Sequence, residues 1–156
     1  MLLPAEVFRN YDIRGLADTQ ITPDVSERIG KAFGTFAILN FGKNIVIGSD
    51  NRSSSEKIKE GFIEGAVSVG CDVTDIGLSL TPIIQFLTFD ARFNCGVMVT
   101  ASHDPIEYNG FRLIGKEAFP IYGDDLQRIL KLCEENTFPT ATGSVVTRDL
   151  THYYTD

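Results

Sequence analysis

Short apolar runs alternate along the chain with longer segments in which apolar residues recur every three or four positions. Unbroken apolar runs are typical of strands buried on both faces of a parallel sheet. The three-to-four spacing is typical of helices that bury one face. The predicted strands are a short one at the start of 6–15, then 44–50, 71–76, 95–100, 111–114 and 145–146, and the predicted helices are 22–39, 53–69, 83–91 and 124–133.

Three of these helices carry recognisable start signals. Thr22 followed by Pro23 is typical of an N-cap with proline in the first turn, and Thr81 precedes a second proline in the same way. Ser53 and Glu56 have the spacing of a capping box. We therefore expect helices to begin at all three places.

The dipeptide Asn109-Gly110 is a strong signal for a tight turn, so strand 111–114 is expected to return antiparallel to 95–100. The order of strands and helices predicts a three-layer α/β/α domain with a mixed, mostly parallel sheet and one reversed strand. Ligands of such sheets bind beyond the carboxyl ends of the strands. The polar loops 49–52 and 100–104 are expected on that side, where the turn 11–15 can join them.

Composition narrows the possible partners and the compartment. The net charge of −7 argues against nucleic acid, and it means that an anionic ligand needs local positive groups or a metal. No apolar run approaches the roughly 18 residues of a membrane helix. Cys71, Cys95 and Cys133 lack metal-ligand spacing, which predicts small core residues in a protein of the reducing cytoplasm.

The segment 100–105, Thr-Ala-Ser-His-Asp-Pro, places Ser102 on an expected exposed turn. His103 is adjacent, and neighbouring side chains on an extended chain point to opposite sides, which argues against a serine–histidine protease pair. No Gly-x-Ser-x-Gly elbow is present. A phosphoryl-carrying serine needs a tight exposed turn and donors for phosphate oxygens. From the residues alone, a structural turn and a functional site both stay open.

Three segments in order along the chain carry a family resemblance. Residues 100–112, TASHDPIEYNGFR, resemble the active-serine signature of the α-D-phosphohexomutases, the phosphomannomutase and phosphoglucomutase family. Residues 8–15, FRNYDIRG, resemble that family's N-terminal motif, and 48–54, GSDNRSS, its Gly-x-Asp-x-Arg-x-Ser segment. The chain is thus identified as a member, with residues 1–156 as domain I, the phosphoserine domain, of a four-domain enzyme.

The resemblance implies an isomerase that moves a phosphoryl group between the 1- and 6-positions of a hexose phosphate. Ser102 would carry the phosphate, and a hexose 1,6-bisphosphate would be the intermediate and activator. Mg²⁺ would bind the Ser102 phosphate together with an aspartate-rich loop of another domain, which these residues lack. We therefore expect the isolated chain to be nearly inactive, with the missing C-terminal domains as its partners.

Individual residues follow from the same resemblance. Ser102, His103 and Arg112 match catalytic positions, and Tyr11 and Arg14 match substrate-binding positions. Structural alternatives stay open for several of them. Arg14 can form a surface ion pair, Tyr11 can pack in the core, and His103 can be an ordinary turn residue. Asp50 and Arg52 are expected to hold the loops together by an ion pair.

Two positions depart from the family pattern, which usually has Asn where this chain has Asp104 and Lys where it has Arg112. Asp104 adds negative charge beside a phosphate. A guanidinium practically never loses its proton, so Arg112 is expected to stabilise charge and not to act as a base. Two other functions stay open: a stand-alone domain that binds sugar phosphates, and a metal-independent hydrolase, for which the sequence offers no base near Ser102.

Overall fold

A computed structural model describes residues 2–90 and 92–150 of the chain. Its six strands are β1 (Ile13–Leu16), β2 (Asn44–Ser49), β3 (Asp72–Leu78), β4 (Cys95–Val99), β5 (Tyr108–Ile114) and β6 (Ser144–Thr147). Its α-helices are α1 (Pro23–Asn40), α2 (Ser55–Ser68), α3 (Thr81–Phe89) and α4 (Asp124–Glu135). Short 3-10 helices cover Ala5–Val7 and Lys116–Ala118.

All six strands form one sheet in the order β1-β5-β4-β2-β3-β6. The pairs β2/β3, β2/β4 and β3/β6 are parallel, whereas β5 is antiparallel to both of its neighbours. Strand β5 is therefore the one reversed strand, and the predicted mixed, mostly parallel sheet is confirmed. Because β2 and β4 are adjacent and parallel, the loops that follow them leave the sheet at the same edge.

The core is divided by the sheet, as the predicted three layers require. The larger cluster lies under α1, α2 and α4, and the smaller one lies under α3. Strand β4 serves both, because successive side chains point to opposite faces: Val97 and Val99 join the larger cluster and Met98 the smaller. None of the helices within the described ranges combines the length and apolarity required to cross a membrane.

The start of the chain differs from its prediction. Residues Ala5–Val7 form a 3-10 turn, and the strand comes only after the polar turn, at β1. The turn itself is closed by the Arg9 N–H, which donates to the Asp12 carbonyl at 2.9 Å. Pairing with β5, which matches Ile13 to Phe111, selects the later segment as the strand.

The predicted tight turn at Asn109-Gly110 is wrong, because both residues lie inside β5. The Asn109 side chain is fully buried and points its amide toward α2, where Nδ2 donates to Ser54 Oγ at 2.8 Å and Ser55 Oγ at 3.0 Å. A Cβ on Gly110 would lie 1.9 Å from the Ile13 carbonyl oxygen. The glycine is needed for the close approach of β1 and not for a reversal.

Helices begin at all three predicted places, but only one of the three predicted N-caps is present. Thr22 is the N-cap of α1 and accepts from the Val25 N–H at 3.3 Å, as expected. Helix α2 instead begins at Ser55 with no side-chain cap, and Thr81 is already inside α3. The predicted end of α3 at Ala91 lies outside the described residues, and the helix ends at Phe89.

Helices α1 and α2 pack closely because glycines face their contact. A Cβ on Gly65 would lie 2.0 Å from the Glu27 carbonyl oxygen.

We expect Gly65→Ala to lower the free energy of unfolding by about 2 kcal/mol, since overpacking outweighs the gain in helix propensity. Urea unfolding measures the change. Glu64→Ala, at an exposed position of the same helix, is the control and should stay within about 0.5 kcal/mol; equal stability of both variants would contradict the close packing.

The three cysteines are free and buried, which confirms the prediction that they are core residues. Burial raises the pKa of the Cys71 thiol to about 12, with a further contribution from Asp72, and burial raises that of Cys133 to about 12. Burial also raises the pKa of Cys95. All three therefore stay protonated, and hence unreactive, well above neutral pH.

We accordingly expect a thiol reagent at pH 8 to label none of the three cysteines rapidly in the folded protein and all three in denaturant. Absorbance or intact mass follows the labelling. Rapid modification of any of them in the folded state would contradict the burial.

Candidate active site

The loops after β2 and β4 meet at the carboxyl edge of the sheet. The Asp50 N–H donates to the Val99 carbonyl at 3.0 Å, which joins the two loops where the strands end. Between them is an open cleft of about 450 Å³. It is lined by Asp50, Asn51, Arg52, Thr100, Ser102, Asp104 and Ile106. Clefts of similar size lie elsewhere on the surface, so the chemistry of the lining and not its volume distinguishes this one.

Ser102 is exposed in this cleft on a backbone with φ of 56°. That left-handed conformation is uncommon for a residue other than glycine and costs roughly 1–3 kcal/mol unless its surroundings hold it. Its N–H donates to Thr100 Oγ1 at 3.0 Å, and the Asp104 N–H donates to the Ala101 carbonyl at 3.0 Å. The chain therefore reverses tightly at Ser102 and presents the hydroxyl outward.

Arg52 joins the β2 loop to the Ser102 turn. Its Nε donates to Asp50 Oδ2 at 3.2 Å, which confirms the expected ion pair. The guanidinium makes more contacts than that prediction included. Nη1 and Nη2 donate to four backbone carbonyls, those of Pro105 at 2.7 Å, Tyr108 at 3.1 Å, Ser102 at 3.1 Å and Asp104 at 2.7 Å.

A buried polar network supports the β2 loop from below. Ser55 Oγ donates to Asp50 Oδ1 at 2.6 Å, and Asn109 Nδ2 donates to the same hydroxyl. Neither Asn109 nor Ser55 is predicted from the sequence as part of the site. Asn109 lies in the segment 100–112 that resembles the family signature, and this position could have indicated a role in the site. Its local sequence pattern, however, is that of a turn.

Arg14, on β1, reaches the Ser102 turn from the other side. Its guanidinium contacts the carboxylate of Asp12, and Nη1 donates to Asp104 Oδ2 at 3.2 Å. Its Nε is buried and, among the described residues, has no hydrogen-bond partner. The ion pair that was left open as the alternative for Arg14 is thus present, and it lies beside the cleft. Its substrate-binding role stays a prediction.

The other predicted residues make fewer contacts, and none of them lines the cleft. Tyr11 is 63% exposed and stacks on Tyr122 at a centroid distance of 6.0 Å, so it is not a core residue. His103 is exposed beside Ser102. Arg112 is half-buried and pairs in register with Met98, which places it on the face of the sheet that carries Arg14.

In the described part of the chain, no hydrogen bond or ion pair connects His103 or Arg112 to Ser102. Arg52 contacts the carbonyls of Ser102 and Asp104, and Arg14 contacts the carboxylate of Asp104. His103 follows Ser102 directly, and Arg112 lies on the same sheet face as Arg14. The catalytic roles of His103 and Arg112 stay predictions.

The described residues do not provide a magnesium site on their own. Residues 2–90 and 92–150 contain no group of three or more His, Cys, Asp or Glu side chains that could hold a metal ion. Mg²⁺ prefers oxygen ligands in near-octahedral geometry, several of which can be water or phosphate. From the described residues, a phosphate on Ser102 would be its main anchor, and further carboxylates would have to come from elsewhere.

Comparison with known proteins agrees with this fold. Residues 5–140 match the family described as phosphoglucomutase/phosphomannomutase, alpha/beta/alpha domain I. A phosphoglucomutase/phosphomannomutase family protein from Burkholderia thailandensis has a solved structure that superposes with a TM-score of 0.90 at 31% identity, covering 98% of this chain and 35% of that one.

Curated relatives point the same way. The chain is 47% identical to a phosphomannomutase of Escherichia coli over 85% of its own length and 28% of that protein. It is 46% identical to a phosphomannomutase of Klebsiella pneumoniae over 85% of its length and 83% of that protein. The chain belongs to the phosphoglucomutase/phosphomannomutase family and corresponds to its domain I. It spans little more than a quarter of the Escherichia coli relative.

The ion pair between Arg14 and Asp104 leads to a prediction about the binding of phosphate. Asp104 neutralises part of the guanidinium, and an incoming phosphate must compete with it. We expect Asp104→Asn to tighten the binding of inorganic phosphate about fivefold, the value of one partly exposed ion pair. Calorimetric titration at moderate salt, about 0.15 M, measures the affinity of this variant and of its control.

The matched control is Glu107→Gln, which changes the charge of the same exposed loop. It lies outside the ion pair, so its effect should be less than twofold at moderate salt. Equal tightening in both variants would show that general charge, and not the pair with Arg14, sets the affinity.

Proposed function

We propose that this chain is the serine-bearing domain of a phosphohexomutase that interconverts hexose 1-phosphates and 6-phosphates through a phosphate on Ser102. The observation that carries the proposal is the left-handed turn that presents Ser102 in the cleft between the two loops. Family membership supports it, since the matched relatives are named as mutases. Those names do not favour the alternative of a stand-alone binding domain.

The proposed phosphoryl transfer needs no water molecule as a reactant. The bond between Ser102 Oγ and phosphorus breaks as a hydroxyl oxygen of the sugar phosphate forms a bond to the same phosphorus. The sugar hydroxyl loses its proton to a base, and Ser102 Oγ takes up a proton as it leaves. The resulting bisphosphate then returns its other phosphoryl group to Ser102 Oγ. The net reaction moves one phosphate between two positions of the sugar and regenerates the phosphoserine.

Cationic groups around the cleft suit the anionic substrate in this acidic protein. Arg14 and Arg112 lie on one face of the sheet, and a guanidinium fork binds phosphate oxygens in pairs. His103 is exposed beside Ser102 and can donate to a phosphate or a hydroxyl. The exposed ring of Tyr11 offers an apolar face for a sugar. We propose these as the catalytic and substrate-binding residues.

The proposal includes Mg²⁺, bound by the Ser102 phosphate, and a hexose 1,6-bisphosphate as activator. Magnesium would offset the charge of the phosphate. Because the described residues offer no carboxylate cluster, its other ligands belong to further domains of the whole protein. Transfer depends on positioning by all these groups, so we propose that this chain alone is nearly inactive. We also propose that the full-length enzyme works in the cytoplasm, which the free cysteines support.

The decisive variant is Ser102→Ala in the protein expressed from the complete reading frame, assayed with a hexose 1-phosphate, Mg²⁺ and the bisphosphate. We expect kcat to fall at least about a thousandfold, because the covalent route is lost. Intact-mass measurement should show that the variant lacks the phosphoryl group, about 80 Da, that the wild type carries.

Ser53→Ala is the matched control, since Ser53 is an exposed serine of the neighbouring loop. It should retain both activity and phosphorylation. Wild-type activity in Ser102→Ala would overturn the proposed carrier.

A further inference from the structure

Arg52 uses every donor that an arginine side chain possesses. A guanidinium has five N–H groups in a fixed planar fork. The five contacts described above account for one N–H on Nε, two on Nη1 and two on Nη2. The side chain is only 11% exposed, so these bonds form in a largely desolvated place where leaving one unmade is costly.

The distribution of its acceptors is as informative as their number. Four of the five are carbonyls within the single segment 102–108, and the fifth is the carboxylate of Asp50 on the loop after β2. Asp50 also accepts from the Arg52 N–H at 3.1 Å and from Ser55 Oγ. The guanidinium is thus anchored on one side to β2 and α2, and it holds the turn on the other.

The held segment includes the strained residue. The carbonyl of Ser102 itself is one of the four, and Ser102 has the left-handed backbone. Such a conformation persists only where several interactions determine it together. The local bond from the Ser102 N–H to Thr100 Oγ1 is a single neutral one. The charge-assisted bonds from Arg52 are the stronger part of what holds the turn.

We propose that Arg52 is a positioning residue for the reacting hydroxyl: it holds Ser102 in its left-handed turn and thereby directs Oγ into the cleft. The inference rests on the proposed function for its catalytic consequence only. Lysine cannot replace Arg52 in this role, since an ammonium has three donors on a flexible stem and cannot reach five acceptors in one plane. A role in charge alone would be filled by either residue.

The first test is kinetic and uses the protein from the complete reading frame. We expect Arg52→Lys to lower kcat about a hundredfold while KM changes less than about threefold, because misplacing the reacting atom affects turnover more than binding. Arg128→Lys, on the exposed face of α4 with an ion pair to Asp125, is the control and should behave as wild type. In Arg52→Ala, added guanidinium should restore part of kcat, and equimolar ammonium should not.

The second test does not depend on activity. If Arg52 acts by holding Ser102 in the left-handed conformation, Ser102→Gly removes the strain, since glycine adopts that conformation readily. We expect Arg52→Lys to lower Tm by about 5 °C with Ser102 present, because a serine that is no longer held relaxes out of the strained turn and recovers part of the lost stability. In the Ser102→Gly background there is no strain to relieve, so the same substitution should lower Tm by about twice as much.

The outcomes separate the two proposals. Unchanged kcat in Arg52→Lys, or equal losses of Tm in both backgrounds, would overturn the role of Arg52. Wild-type activity in Ser102→Ala would overturn the carrier mechanism and leave the coupling between Arg52 and Ser102 measurable on its own.

Discussion

One guanidinium connects the two halves of the candidate site. Arg52 bonds to Asp50 at the end of β2 and to four carbonyls of the segment that follows β4. Loops usually vary in conformation more than the strands they connect. Here the second loop is tied to the first, and the first is tied to α2 through Ser55 and to β5 through Asn109. The conformation of Ser102 is therefore determined by the sheet and by α2 together.

Two cationic side chains near the cleft are already paired within the protein. Arg14 contacts Asp12 and Asp104. Arg52 contacts Asp50 and four backbone carbonyls. An anionic ligand must exchange with those partners and does not simply enter an empty positive pocket. Asp104 belongs to the Ser102 turn, whereas Asp12 lies two residues before Arg14 on the chain.

Much of the fold could be predicted because it depends on local pattern. Buried parallel strands such as β2 and β4 require unbroken apolar runs, and α1 and α4 show one-sided spacing, so their existence and order follow from the sequence. Two of the errors share one cause. Asn109-Gly110 and the serines 53–55 carry local signals for a turn and a cap, but the side chains of Asn109, Ser54 and Ser55 form tertiary hydrogen bonds instead.

The site was predicted by resemblance more than by chemistry. Ser102 could be named because a matching segment surrounds it, whereas its left-handed backbone and the carbonyls that Arg52 binds are three-dimensional facts. An ion pair between Asp50 and Arg52 could be predicted from their spacing. The remaining four bonds of Arg52 could not, since they join residues about fifty positions apart in the chain.

The central claim is that the phosphate on Ser102 is passed to the substrate. The most direct test is a single-turnover experiment in which the full-length protein carries an ¹⁸O-labelled phosphoryl group on Ser102 and meets unlabelled hexose 1-phosphate. If Ser102 is the carrier, the label appears on the sugar within the first turnover, as mass spectrometry of the sugar phosphates would show. Turnover with the label retained on Ser102 would contradict the account.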